Sequence, residues 1–168
     1  MLPIVALIGR PNVGKSTLFN RIVGQRQAIV EDIPGTTRDT IEDTVNLGGI
    51  LFRFIDTAGI RETAEPIENL GIRRTYQKIE QSSIVLLLVE ASDGFKLIQR
   101  SLDEIRKQVE NKGKQVVLVL NKSDQVTPAQ FREVESSMLL LEQERMISVS
   151  AEKQENIDGL TSLLLDMV

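Results

Sequence analysis

Gly9-Arg10-Pro11-Asn12-Val13-Gly14-Lys15-Ser16 fits the pattern G-x-x-x-x-G-K-[ST] and lies between an apolar run, Ile4 to Ile8, and a helix-like segment, Leu18-Phe19-Asn20-Arg21-Ile22. A strand, a glycine-containing loop and a helix in that order read as a phosphate-binding loop. The glycines let the backbone curl until successive N–H groups and the positive helix N-terminus point at one anion, so the stretch from Asn12 through Val13 and Gly14 to Thr17 forms the cradle. Lys15 adds a point charge at the β and γ phosphates, and the Ser16 hydroxyl is placed to ligate magnesium.

Working outward, the runs Ile4–Ile8, Ile84–Val89 and Val116–Leu120 are continuous rather than alternating, as expected of central parallel strands covered on both faces by helices. Thr44–Leu47 and Leu51–Ile55 flank Gly48-Gly49, which predicts a β-hairpin and therefore one strand antiparallel to the rest. Ile98, Leu102, Ile105 and Val109, and later Ile157, Leu160 and Leu164, recur at helical spacing and predict core-facing stripes. Thr127-Pro128-Ala129-Gln130 combines an N-cap, a proline at the first helical position and a glutamine three residues on, so a helix should begin there. Strands alternating with helices predict a doubly wound α/β sheet, which binds ligands beyond the carboxyl ends of its strands.

Composition limits the chemistry. The 168 residues, 41% hydrophobic, suit one globular domain, with no linker, internal repeat or low-complexity tract to divide it. With no Cys and no His, disulfides, thiol chemistry, the usual zinc sites and histidine acid–base catalysis are excluded from this sequence. Net charge is −4, with Lys and Arg interleaved among acids as in Arg100 to Lys114, so no basic stripe predicts direct nucleic-acid binding. The longest apolar run is the six residues Ile84–Val89, far short of the ~20 needed to span a membrane. Met1 to Ile8 lacks a basic head and a cleavage site, and a cytoplasmic location is expected.

The remaining polar motifs fall where the sheet rule puts ligands. Asp56-Thr57-Ala58-Gly59 follows Leu51–Ile55, Asn121-Lys122-Ser123-Asp124 follows Val116–Leu120, and Ser150-Ala151 follows Met146–Val149. Each alone is ordinary turn chemistry. Together, behind a phosphate loop, they describe a nucleotide site.

On these motifs, and on Thr37 within Gly35-Thr36-Thr37-Arg38-Asp39, the chain resembles small GTPase domains of the translation-factor-related class over essentially its whole length. The resemblance implies a three-layer doubly wound P-loop GTPase fold, with a mostly parallel six-stranded sheet containing one antiparallel strand, as a single GTP-binding domain over residues 1–168. It implies GTP and GDP as ligands with Mg2+. In such domains Asp124 accepts from the guanine ring N–H and exocyclic amine, Asn121 ties the loops together, the Lys122 stem packs on the base, and the Ala151 N–H beside Ser150 faces the guanine oxygen. An adenine would leave the buried carboxylate unpaired, a mismatch rejected by roughly 10⁴-fold or more. Thr37, Asp56 and Ser16 match the magnesium side, and Gly59 the N–H that senses the γ-phosphate.

The finer resemblance is to the TrmE/Era/Der group, and within it to the G domain of the MnmE (TrmE) family of bacterial tRNA-modifying GTPases. It rests on Asp32 to Asp39, Asp56 to Glu62 and Ile67-Glu68-Asn69-Leu70-Gly71-Ile72-Arg73-Arg74. In that family the catalytic glutamate lies twelve residues after the Asp of Asp-Thr-Ala-Gly, here Glu68. A potassium ion, held by the phosphate-loop asparagine, here Asn12, and by first-switch carbonyls, here from Ile33-Pro34-Gly35, supplies positive charge near the β/γ bridge. A homodimer through the switch regions is also implied. The Der (EngA) family of ribosome-assembly GTPases shares the opening Leu2 to Ser16 but usually carries Asp-Thr-Gly-Gly where this chain has Ala58. MnmE proteins also carry a folate-binding domain, a helical body and a reactive C-terminal Cys, none of which these 168 residues contain; an excised domain, a chimera or designed variant, and a stand-alone relative all fit, and tRNA wobble-uridine modification can be attributed only to a full-length parent.

Two functional readings stay open from sequence. One is a GTPase stimulated by potassium and by pairing of G domains; the other is a nucleotide-controlled binding module with vestigial hydrolysis. Glu68 and Asn12 favour the first, although an acid near a helix start also has a purely electrostatic reason to be there. A phosphoryl-transferring kinase ranks last, because it predicts no Asn-Lys-x-Asp.

Overall fold

The computed structural model describes residues 2–10, 12–24, 42–55, 77–110 and 112–168. Six strands, β1 (Ile4–Ile8), β2 (Glu42–Leu47), β3 (Ile50–Ile55), β4 (Ile84–Glu90), β5 (Gln115–Asn121) and β6 (Glu144–Ser148), form one sheet in the order β2-β3-β1-β4-β5-β6. The helices among the described residues are α1 (Lys15–Gly24), α2 (Phe95–Val109), α3 (Pro128–Ser137) and α4 (Ile157–Asp166), and residues 77–81 are also helical. Among the described strands only β2 runs antiparallel, pairing with β3, while the other adjacent strands pair in parallel. The predicted mostly parallel six-stranded sheet is the observed one.

The three layers follow from strand alternation. Val5 and Leu7 of β1, Ile84, Leu86 and Leu88 of β4, and Val117 and Val119 of β5 meet Leu18, Phe19 and Ile22 of α1 and Ile157, Leu160 and Leu164 of α4. The intervening residues Ala6, Val85, Leu87, Leu118 and Leu120 face Ile79, the α2 stripe Ile98-Leu102-Ile105-Val109, and Val134 of α3. Both faces are apolar because both are covered, which is why these strands lack a polar alternation. Truncating Leu102, fully buried at the centre of the α2 stripe, to alanine should cost about 2–5 kcal/mol.

The hairpin closes as the glycines predict. Gly48 and Gly49 have φ of 58° and 91°, the left-handed pair a two-residue turn needs, and the Gly49 N–H donates to Asn46 Oδ1 at 2.9 Å. The start of α3 is likewise as expected: Thr127 Oγ1 accepts from the Gln130 N–H at 3.1 Å, and the Thr127 N–H donates back to Gln130 Oε1 at 2.9 Å. The last strand differs from expectation. It begins at Glu144 rather than Met146, because Arg106 of α2 neutralises a carboxylate whose side chain is only 1% exposed. A charged but buried residue therefore opens this edge strand, which apolar patterning could not indicate.

Candidate functional site

The phosphate loop leaves β1 at Gly9, where an added Cβ would lie 2.8 Å from Val13 Cγ1 and 3.1 Å from the Leu88 carbonyl, so the turn presses against β4. Asn12 adopts a left-handed φ of 67°, a conformation asparagine tolerates, and its side chain is exposed. Gly14 has φ 103°, and its missing side chain makes room for Asn121, whose Nδ2 would stand 2.3 Å from a Cβ. The Leu18 N–H donates to the Gly14 carbonyl at 2.9 Å, opening α1 there. The N–H groups of Lys15, Ser16 and Thr17 thus fall in a first turn with no intrahelical acceptor, beside the exposed Ser16.

The carboxyl end of β5 delivers the second half of the site. Asn121 is buried; its Nδ2 donates to the Val13 carbonyl at 2.9 Å, and its Oδ1 accepts the Ala151 N–H at 3.0 Å. One side chain thus joins the phosphate loop, the Asn-Lys-Ser-Asp segment and the loop after β6. Lys122 sits in the left-handed region at φ 59°, and its ammonium lies over the phosphate loop, donating to the Asn12 carbonyl at 3.1 Å and pairing with Glu90. Buried Ser150 donates from its hydroxyl to Asp124 Oδ1 at 2.8 Å, orienting the carboxylate, while Lys153 Nζ stands 4.0 Å from Oδ2. Gly14, Thr17, Asn121, Lys122, Ala151 and Glu152 line a cleft of about 290 Å3 between these loops.

One expected contact is arranged differently. The Ala151 N–H, anticipated to face a guanine oxygen, is committed to Asn121 Oδ1. To serve a base oxygen it must split its N–H between the two acceptors or exchange one for the other.

Thr37, Asp56, Gly59 and Glu68 lie outside the described residues, as does the Ile33-Pro34-Gly35 segment. Among the described residues, Asn12, Val13, Gly14, Lys15, Ser16, Thr17, Asn121, Lys122, Asp124, Ser150 and Ala151 converge on one sheet edge.

Four further contributors were not singled out in the sequence. Arg10 of the phosphate loop donates to Asp93 Oδ1 and Oδ2, both at 2.6 Å, and to Glu90 Oε2 at 3.1 Å. Glu90 thereby bridges Arg10 and Lys122. Glu90 ends β4 and Asp93 the single 3-10 turn after it, at a carboxyl end that the sheet rule would have flagged beside the other strand ends. No comparable signal existed for Arg21 of α1, which donates to the carbonyls of Ala151 and Glu152.

A G-x-x-x-x-G-K-[ST] loop joined through one asparagine to an Asn-Lys-x-Asp loop, on this strand order, is the arrangement of a P-loop GTPase domain, the class of enzymes that bind and hydrolyse GTP. The chain belongs to the family of 50S ribosome-binding GTPases, which matches residues 4–122. Its curated relatives include the tRNA modification GTPase MnmE of Bacteroides thetaiotaomicron, 46% identical over 164 residues covering 96% of this chain and 35% of that one. They also include MnmE of Flavobacterium psychrophilum, 41% identical over 98% of this chain and 35% of that one. The resemblance to MnmE G domains is thus borne out, while the chain spans about a third of the length of these relatives. Among solved structures, Era in complex with MgGDPNP and a 16S ribosomal RNA fragment superposes with a TM-score of 0.70 at 28% identity, over 98% of this chain and 56% of that one. The elongation factor SelB of Methanococcus maripaludis, in complex with GPPNHP, gives 0.70 at 18% over 98% of this chain and 33% of that one, a likeness of fold alone. Among the described residues no helix is long and apolar enough to cross a membrane.

Proposed function

We propose that this chain is the GTP-driven switch module of an MnmE-like tRNA modification GTPase, with Mg2+ at the phosphates and turnover stimulated by potassium. The observation that supports it most directly is the Asn121 junction, which brings the phosphate loop and the guanine loop to one cleft. Asp124, oriented by Ser150, reads the base, and the first turn of α1 with Lys15 binds the phosphates. Magnesium fits the donor set: the exposed Ser16 hydroxyl at the α1 N-terminus is a hard oxygen ligand, and Thr37 and Asp56 are assigned as its companions. Potassium fits Asn12, whose own carbonyl is occupied by Lys122 while its exposed side chain is presented at the start of the loop.

Bound there, potassium would supply the positive charge near the β/γ bridge that other GTPases take from an arginine. Ile60 follows Asp-Thr-Ala-Gly, where Ras-like proteins place a water-orienting glutamine, and its alkyl chain cannot orient water. Glu68 is assigned that task, with Gly59 at the γ-phosphate. Pairing of two G domains through the switch regions, and action on tRNA by a larger parent, belong to the same proposal.

The test is phosphate release from GTP in potassium and in sodium over a range of protein concentration. Turnover should be well above the sodium rate in potassium, Asn12→Ala should abolish the difference, and Glu68→Ala should lower turnover at nearly unchanged GDP affinity. Equal rates in the two salts where pairing can occur would refute the potassium assignment, and undiminished turnover in Glu68→Ala would remove that residue from the chemistry.

A further inference from the structure

Arg21 lies one turn beyond Thr17 on the same face of α1, and its guanidinium reaches the loop after β6. Nε donates to the Ala151 carbonyl at 2.9 Å and Nη2 to the Glu152 carbonyl at 3.2 Å. Two successive carbonyls are thereby drawn toward α1 by one rigid fork. In a trans peptide the C=O and N–H point in opposite directions, so fixing the two carbonyls also fixes the N–H groups of Glu152 and Lys153 on the side away from Arg21. The Lys153 N–H is seen there, donating to Ser150 Oγ at 3.3 Å, the hydroxyl that orients Asp124. The Glu152 N–H belongs to the other fixed peptide, in a segment that lines the cleft.

We propose that Arg21 is a positioning residue for guanine recognition: it orients the peptide group between Ala151 and Glu152 so that the Glu152 N–H, rather than a carbonyl, faces the six-position oxygen of the base. The inference rests on the guanine site proposed above. A released Ala151 or Glu152 carbonyl turned into the cleft would oppose that oxygen, acceptor against acceptor. Arg21 also favours the C-terminal end of α1 electrostatically, a role that would affect folding but not the choice among bases.

The test measures affinities of the parent and of Arg21→Met, Arg21→Lys and Arg21→Gln for three nucleotides: GDP, 6-thioguanosine diphosphate, in which sulfur replaces the six-position oxygen, and inosine diphosphate, which lacks the exocyclic amine read by Asp124. Arg21→Met should reduce the parent's preference for GDP over the thio analogue by about tenfold, the scale of one charge-assisted contact, and leave the preference for GDP over inosine diphosphate intact. Arg21→Lys and Arg21→Gln, which keep one donor group, should recover part of the loss. Equal weakening of GDP and the thio analogue, or no change, would overturn the positioning role. If Arg21→Met does not fold, the Lys and Gln variants carry the same comparison. A parent that does not prefer GDP to inosine diphosphate would instead sink the guanine site itself.

Discussion

The Asn121 side chain and the Val13 carbonyl, 108 residues apart in sequence, meet at 2.9 Å in the interior of the site. The other end of the same amide accepts the Ala151 N–H at 3.0 Å, so three loops share one hydrogen-bonding group. Asn121→Ala leaves a buried carbonyl and a buried N–H without their partner, each costing about 1–3 kcal/mol. Thermal unfolding should shift down by several degrees and GDP affinity should fall with it. A melting temperature equal to the parent's would mean the junction carries no weight.

Gly14 is where that junction excludes a side chain. A Cβ there would stand 2.3 Å from Asn121 Nδ2, on a backbone at φ 103° that L-residues rarely adopt. Gly14→Ala should destabilise the domain by at least about 1–2 kcal/mol from backbone strain alone, and displace Asn121 as well. Denaturant titration and GDP calorimetry on the same preparation should show both losses; tight GDP binding in this variant would contradict the close approach.

Asp124 has one oxygen held by Ser150 at 2.8 Å and is oriented before any ligand arrives. A carboxylate accepts only, whereas an amide also donates. Asp124→Asn should therefore weaken GDP and relatively favour xanthosine diphosphate, whose two-position carries an oxygen in place of the amine. Unchanged GDP affinity by calorimetry would remove Asp124 from base recognition.

Glu144 links pH to stability away from the site. Burial alone pushes its carboxyl up, but hydrogen bonds from Arg106, at 2.8 and 2.7 Å, and from the Leu141 N–H at 2.8 Å, with the charge of Arg106, leave it below the ordinary glutamate value. A carboxyl lowered in the folded state contributes stability that is full above its unfolded value near 4.3 and is lost as pH falls through the folded value. Glu144→Gln should cost roughly 1.5–3 kcal/mol at neutral pH, the range for hydrogen bonds to a charged group. It should also flatten the part of the stability profile below about pH 4.3. Parallel parent and variant profiles across that range would show that the pair does not titrate with folding.

The sequence by itself determined whatever depends on residues a turn or two apart. The α2 stripe, the Thr127 capping box, the Gly48-Gly49 hairpin and the phosphate loop were all legible, because helical period, pleat and left-handed φ act over neighbouring residues. The clustering of Asn121, Asp124, Ser150 and Ala151 at one edge was legible too, because a parallel sheet puts every strand's carboxyl end on the same side. Tertiary structure alone decided which polar atoms meet there. That the Ala151 N–H goes to Asn121, that Arg21 grips the carbonyls beside it, that Glu90 joins Arg10 to Lys122, and that a buried Glu144 can open the edge strand β6 all depend on strand register and on how α1 and α2 sit on the sheet. Those are set by the packing of two apolar layers summed over the whole chain, and no short segment encodes them.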